Sequence, residues 1–311
     1  MNSNPPIDSL PDSTSNSPAQ PTRCGYVALV GRPNVGKSTL FNAFIGQRLS
    51  IVTPKPQTTR GRILGILTKP QSQIIFLDTP GLLESQYKLH RTMEKQISTA
   101  ARDADLILLL IDAERPRDRS KLVHAFLRQA RAPVVAVLNK IDLLSLTRVK
   151  EESAAIKDEF GLESLMPLSA LRGDSVEDLL NHLETRLPLG VKLYPDDMIA
   201  EQPERFFAAE LVREAAFNNL ADELPYAINV AIDEFSQRNS KTYIHATIYV
   251  ERDSQKGIVI GNKGERLRTI GHQARLTIEE FIDAQVYLDL WVKVRPDWRN
   301  HDRDLNEFGY Q

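Results

Sequence analysis

"GRPNVGKS", residues 31–38, follows the apolar run "YVALV" (26–30) and opens into "KSTLFNAFIG" (37–46). A glycine, four free positions and then Gly-Lys-Ser, set between a strand and a helix, read as a phosphate cradle. Glycines let main-chain N–H groups converge on phosphate oxygens, and the helix N-terminus adds positive potential. The candidate phosphate-binding residues are Gly31, Arg32, Pro33, Asn34, Val35, Gly36, Lys37, Ser38 and Thr39. Lys37 is expected to reach the β- and γ-phosphates, and Ser38 to offer its hydroxyl to Mg²⁺.

Around this loop, from 26 to 187, apolar strands alternate with helical stretches: "RILGILT" (62–68), "QIIFLDT" (73–79), "LILLLID" (106–112), "PVVAVLNK" (133–140) and "LMPLSA" (165–170). Such alternation implies an α/β fold, a mostly parallel sheet with helices on both faces. Ligands bind that architecture at the carboxyl ends of the strands, where three further loops fall. In "DTPG" (78–81) Asp78 can hold the Mg²⁺ shell and the Gly81 amide can touch a γ-phosphate. In "NKID" (139–142) the Asp142 carboxylate would accept from the N1–H and 2-amino groups of guanine. Adenine has no such amino group, and a desolvated carboxylate left unpaired is heavily penalised. "SAL" (169–171) would give the Ala170 amide to guanine O6. Asn139, Lys140, Asp142, Ser169, Ala170 and Leu171 are therefore the candidate guanine-binding residues, and the expected nucleotide is GTP.

Residues 23–190 resemble a translation-factor-type small GTPase domain. The resemblance implies a first switch in "VTPKPQTTRGR" (52–62), with Gln57, Thr58, Thr59, Arg60 and Gly61 as its candidates. It also implies that one threonine there ligates Mg²⁺ in the GTP state; Thr58 and Thr59 both qualify, and Thr59 is preferred. The second switch is Asp78, Thr79, Pro80, Gly81 and Leu82. Leu82 and then Leu83 stand where Ras-like proteins place a water-orienting glutamine, and an alkyl chain cannot polarise water. GTPases resembling this one use K⁺ beside the phosphates, held partly by a P-loop asparagine, and Asn34 occupies the matching position.

Beyond 186 the rhythm breaks. "RLPLGVKLYPDDMIAEQPE" (186–204) holds three prolines and no clear period, and reads as a linker and joint. The order that follows is helix, strand, strand, helix, strand. "ERFFAAELVREAAFNNL" (204–220) has one-sided helical spacing, and "KTYIHATIYVE" (241–251) and "VYLDLWVKV" (286–294) alternate strictly. A three-stranded sheet with one dry face under helices follows. The loop "GNKG" (261–264) is placed after the strand hairpin, with a helix starting at Gly264. Lys256, Lys263, Arg266, Arg268 and Arg275 make its surroundings basic. Glycines there let a sugar–phosphate backbone press against the main chain, as KH modules clamp about four single-stranded nucleotides. Gly261, Asn262, Lys263, Gly264, Arg266 and Arg268 are the candidate RNA-binding residues.

This order resembles a type II KH domain, and from about residue 23 onward the chain resembles the Era family of bacterial GTPases. The implied organisation is a disordered tail (1–22), an α/β P-loop GTPase domain (23–190), a linker (191–203) and an α+β type II KH domain (204–311). The resemblance further implies binding to the 3′ region of 16S ribosomal RNA, a role in assembly of the 30S subunit, and a cytoplasmic location with loose attachment to the inner face of the cytoplasmic membrane. A monomer is expected. The competing reading is a membrane-signalling GTPase whose basic C-terminal surface binds anionic lipid.

Bulk composition agrees without deciding. The chain has 311 residues, a net charge of −2, 41% hydrophobic and 26% charged residues, which suits two globular domains. Its one cysteine, Cys24, fits a reducing compartment. The longest apolar run, "LILLLI" (106–111), is far short of a membrane span.

Overall fold

The protein is described by a computed structural model covering residues 22–116 and 120–310. Apart from Thr22, the tail expected at 1–22 lies outside the described residues.

The first half is a six-stranded sheet in the order β2-β3-β1-β4-β5-β6. Its strands are β1 (Arg23–Gly31), β2 (Ile63–Lys69), β3 (Ser72–Asp78), β4 (Leu106–Asp112), β5 (Val134–Asn139) and β6 (Leu165–Pro167). All neighbours are parallel except β2 and β3. Only Pro70 and Gln71 join that pair, too short a connection for a crossover, so β2 must turn back. Alternate residues feed opposite faces. Val27 and Leu29 pack with Leu40, Phe41 and Leu179 from α1 (Lys37–Ile45) and α5 (Val176–Arg186). Ala28 and Val30 pack with Ile97, Val123 and Ile156 from α2 (Lys88–Asp103), α3 (Ser120–Gln129) and α4 (Leu146–Phe160). β4 is buried along its whole length, which explains its unbroken apolar run.

The second half is a three-stranded sheet, β7 (Asn229–Arg238), β8 (Lys241–Val250) and β9 (Gln285–Val294), with β8 antiparallel to β7 and parallel to β9. Ile244, Ala246, Ile248 and Val250 face one core, as their alternation required. α6 (Glu204–Asn219), the short α7 (Leu224–Ala227) and α9 (Glu265–Ile282) close it, with Ile270, Ala274 and Ile278 fully buried. One element differs from the sequence reading: the GNKG loop does not follow the hairpin directly. A helix, α8 (Asp253–Ile260), intervenes. Its "IVI" is β-branched, but Gln255 Oε1 accepts the N–H groups of Glu251 and Arg252 at 2.8 and 3.1 Å, capping a helix that inserts Val259 into the core.

The linker is no free joint. Buried Gln73 accepts the N–H groups of Leu193 and Tyr194 at 2.8 and 2.9 Å and donates to the Tyr194 carbonyl. Further on, Ala200 bridges Gly65 on β2, and Ile66 N–H donates to Ile199 O at 2.9 Å. The chain is thus strapped across the sheet almost to α6. Behind it the two halves share an apolar patch in which Leu83, Leu89 and Met93 meet Trp298, Leu305 and Tyr310. Among the described residues no helix is long and apolar enough to cross a membrane.

A candidate nucleotide site and a candidate RNA groove

At the carboxyl edge of the first sheet lies a cleft of about 540 Å³, lined by the loop after β1, the segment 51–59, Gly81, Lys140 and Leu171. Gly36, with φ 96°, lets the loop turn into α1, and a Cβ there would strike Asn139 Nδ2. At Gly81 a Cβ would stand 2.5 Å from Pro33 N, so the second switch touches the loop through bare backbone. Buried Lys37 donates to the carbonyls of Gly31 and Arg32 at 3.2 and 2.9 Å. Burial lowers its ammonium to about 8, against the attraction of Asp78.

Three hydroxyls converge on one carboxylate oxygen. Ser38, Ser50 and Thr59 lie 2.8, 2.7 and 3.3 Å from Asp78 Oδ2, and the Ser38 and Thr59 hydroxyls are 3.0 Å apart. Asp78 is completely buried, which raises its pKa despite Lys37 and these donors, and its Oδ1 has no hydrogen-bond partner. Of the two switch threonines only Thr59 joins this cluster; Thr58 turns its carbonyl to Arg213 at 2.6 Å. Ser50 was not anticipated, because a serine after a helix carries no motif.

Asn34, in the left-handed region with φ 61°, donates from Nδ2 to the Pro54 carbonyl at 2.7 Å, fastening the loop to the first switch. Gln57 also lines the cleft. His90 Nδ1 accepts from Gln86 N–H, so its Nε2–H donates to Gln57 Oε1 at 3.2 Å, tying the first switch to α2. Burial, then the charges of Arg299 and Arg60, push His90 down to about 4, keeping this tautomer neutral. Leu82 and Leu83 are buried and face away from the cleft into the two cores.

Across the cleft the guanine candidates assemble. Asn139 bonds the Val35 carbonyl at 2.7 Å and accepts the Ala170 amide at 2.9 Å. The Ala170 N–H expected to face guanine O6 is therefore engaged by Asn139. Asp142 Oδ1 accepts the Ser169 hydroxyl at 2.6 Å, which fixes the carboxylate plane, and Lys140 pairs with Asp112 at 2.7 Å. Leu171 is 80% exposed at the rim.

The second site is in the other half. Gly261 and Gly264 have φ 74° and 78°, and Lys263 between them is also left-handed at 47°. A Cβ on Gly261 would lie 2.7 Å from that of Arg266. Asn262, Lys263, Arg266 and Arg268 are exposed, and Arg266 also donates to Ile258 O at 2.7 Å, at the end of α8. Arg266, a candidate RNA-binding residue, is thus also tied into the loop's own scaffold. From Gly264 a groove of about 420 Å³ runs between α9 and β9 past Leu267, Gly271, Leu288 and Leu290. Leu267, Leu288 and Leu290 are partly buried there and pack against the core of the second half.

A phosphate-loop cleft at the edge of a parallel sheet, joined to a glycine-loop groove on an α+β layer, defines a P-loop GTPase carrying a KH module. The 50S ribosome-binding GTPase family matches residues 26–140, and the KH domain family matches 223–299. GTPase Era of Geobacter metallireducens is 44% identical over 293 residues, spanning 93% of this chain and 98% of that protein. GTPase Era of Pseudomonas putida is 42% identical over 299 residues, spanning 94% and 98%. The chain belongs to the Era family of GTPases. Two solved structures, Era in complex with MgGDPNP and nucleotides 1506–1542 of 16S ribosomal RNA, and an Aquifex aeolicus Era variant bound to GDP·AlF4−, each superpose with a TM-score of 0.90 at 39% identity, covering 93% of this chain and 99% of theirs.

Proposed function

We propose that this protein is a GTP-driven switch that binds the 3′ region of 16S ribosomal RNA and assists assembly of the 30S subunit. Residues 23–190 act as the GTPase domain, 191–203 as a strap and 204–311 as the RNA-binding domain. The 31–39 loop and Gly81 cradle the phosphates, while Asn139, Lys140, Asp142 and the 169–171 loop take the guanine. Mg²⁺ suits the Ser38, Thr59 and Asp78 set, three hard oxygen donors beside an unpartnered buried carboxylate oxygen. When bound, it neutralises phosphate charge. Asn34 keeps its amide oxygen for a monovalent cation such as K⁺. Gly261, Asn262, Lys263, Gly264 and Arg268 grip RNA phosphates, with Arg266 holding the loop's shape.

One observation carries the switch reading. Thr59 stands in the Mg²⁺ cluster while its neighbours Thr58 and Arg60 are bound by the RNA-binding half, Arg60 through the carbonyls of Ile228, Pro225 and Tyr226 at 2.6, 3.2 and 3.0 Å. Loss of the γ-phosphate that retains Thr59 would pull on both contacts. The competing lipid-signalling reading is not favoured, since a solved relative of matching length is bound to ribosomal RNA. A cytoplasmic monomer touching the membrane surface only weakly completes the picture. The test is RNA crosslinking in cells together with affinity for the 1506–1542 fragment in the GTP-analogue and GDP states. Equal affinity in both states ends the switch reading, and crosslinks outside 16S RNA end the assembly reading.

A further inference from the structure

The outer face of the second sheet carries large rings, two of which, Tyr287 and Trp291, are open to solvent. Register sets Tyr243 beside Tyr287 and Thr247 beside Trp291 across β8 and β9, on the side away from the core. Tyr287 and Trp291 are 58% and 54% exposed. The Tyr243 and Tyr287 ring centres lie 5.4 Å apart, and the Arg238 guanidinium stands 5.3 Å over Tyr243. Amphipathic rings held open in this way are surfaces awaiting a flat apolar partner.

Their position relative to the GNKG groove says which partner. The groove between α9 and β9 ends at Arg275. A second hollow, of about 730 Å³, begins at the same Arg275 and passes the start of β9 to reach Lys241, Tyr243 and Tyr287. Because β9 is the edge strand, no further strand blocks the way from groove to outer face. Resting on the reading of that groove as an RNA site, we infer that single-stranded RNA leaving it continues past Arg275, rounds the edge of β9 and stacks bases on Tyr287 and Tyr243.

The surrounding charges suit a nucleic acid strand better than a lipid surface. Most carboxylates of the face and hollow are internally occupied: Glu234 by Arg238 and Ser236, Asp233 by the Thr247 hydroxyl at 2.6 Å, Asp289 by the Trp291 indole at 2.8 Å, and Glu279 by Arg275 and the Val286 N–H, with Asp283 left at the rim. The exposed Lys241 side chain attracts the Glu279 carboxylate without forming a salt bridge among the described residues, and it stands where the strand's phosphates would pass. An anionic membrane is drawn by dense cation clusters, which this face lacks. Stacking needs only spaced rings and tolerates any base.

The test compares two RNAs on the full chain loaded with a GTP analogue: the 1506–1542 fragment and a tetranucleotide long enough only for the KH clamp. Tyr287→Ala combined with Tyr243→Ala should weaken the long fragment about 10-fold or more, leave the tetranucleotide unchanged, and recover most of the loss when phenylalanine replaces alanine. Lys263→Glu should weaken both RNAs. Wild-type affinity of the double variant for the long fragment overturns the stacking path. A Lys263→Glu chain that binds both RNAs normally overturns the groove reading instead. Loss of binding to phosphatidylserine vesicles, with RNA binding intact, would assign the rings to lipid and likewise overturn the inference.

Discussion

Arg213 Nη2 donates a 2.6 Å hydrogen bond to the carbonyl of Thr58, so a helix of the RNA-binding half holds the peptide unit that carries Thr59. Arg213 is 1% exposed, paired with Glu210 and laid over the Phe217 ring at 5.4 Å. Nearby, Arg48 pairs with buried Glu214 at 2.6 Å, and Lys55 donates to the Phe217 and Leu220 carbonyls at the end of α6. Cations at a helix C-terminus are favoured by its dipole. Together with the Arg60 contacts, these bonds anchor the first switch through Lys55, Thr58 and Arg60 to the domain it is proposed to control.

Replacing Arg213 by alanine removes the Thr58 contact and strands Glu210. Stability should fall by about 3 kcal/mol, and the ratio of RNA affinities between the GTP-analogue and GDP states should shrink several-fold. Urea unfolding and RNA titration in both states measure the two effects. An unchanged affinity ratio would remove Arg213 from the coupling.

The two switch threonines should separate cleanly. Thr59→Ala takes away a hydroxyl of the Asp78 cluster and should slow single-turnover GTP hydrolysis at least about 10-fold while raising the Mg²⁺ requirement. Thr58→Ala keeps the carbonyl that Arg213 uses and should stay within about twofold of wild type. Reversed outcomes would assign the metal to Thr58.

Asp142→Asn should move base preference from guanine toward xanthine, because the new amide donates to the 2-oxo group where the carboxylate accepted from the 2-amino group. Competition between GTP and XTP reads this directly. Ser169→Ala should weaken guanine binding more mildly, since it frees the carboxylate without removing it.

His90 gives a pH signature. Its folded pKa, about 4, lies below the ordinary 6.5, so the unfolded chain binds more protons between those values. Stability contributed by neutral His90 is complete above pH 6.5 and drains away as pH falls toward 4, on the order of 2–3 kcal/mol in all. Denaturant midpoints from pH 7 to 4.5 should fall less steeply in His90→Gln than in wild type; parallel curves would contradict the assignment.

In the KH loop, Lys263→Glu with Arg268→Glu should lower RNA affinity and flatten its dependence on salt. Arg266→Glu should act differently, lowering stability by releasing Ile258 O at the end of α8. Thermal unfolding distinguishes the two.

Much of this protein was legible in the chain because its motifs are contiguous. A phosphate loop, a DTPG turn and an NKID turn each place their groups within a few residues, at strand ends that period and apolarity already mark. The dry face of the second sheet was readable from alternation for the same reason. α8 escaped notice because three β-branched residues mask a helix whose start is set by a side-chain cap and whose need is a buried Val259. The linker escaped because its anchor, Gln73, is a strand residue with nothing nearby to announce it.

The nucleotide class, the two glycine loops and the presence of two domains were thus settled by sequence, through local geometry that any backbone obeying those residues must adopt. What only the tertiary structure decided was the wiring: Thr59 and not Thr58 beside the Asp78 carboxylate, Ala170 turned to Asn139, Arg266 bonded to Ile258, and Arg60 and Arg213 joining the switch to the RNA-binding half. The switch contacts join residues more than 150 positions apart, while the others reach across 8 to 31 positions or choose between adjacent threonines. A side chain's partner across such a span is set by how layers pack, which no short stretch of sequence encodes.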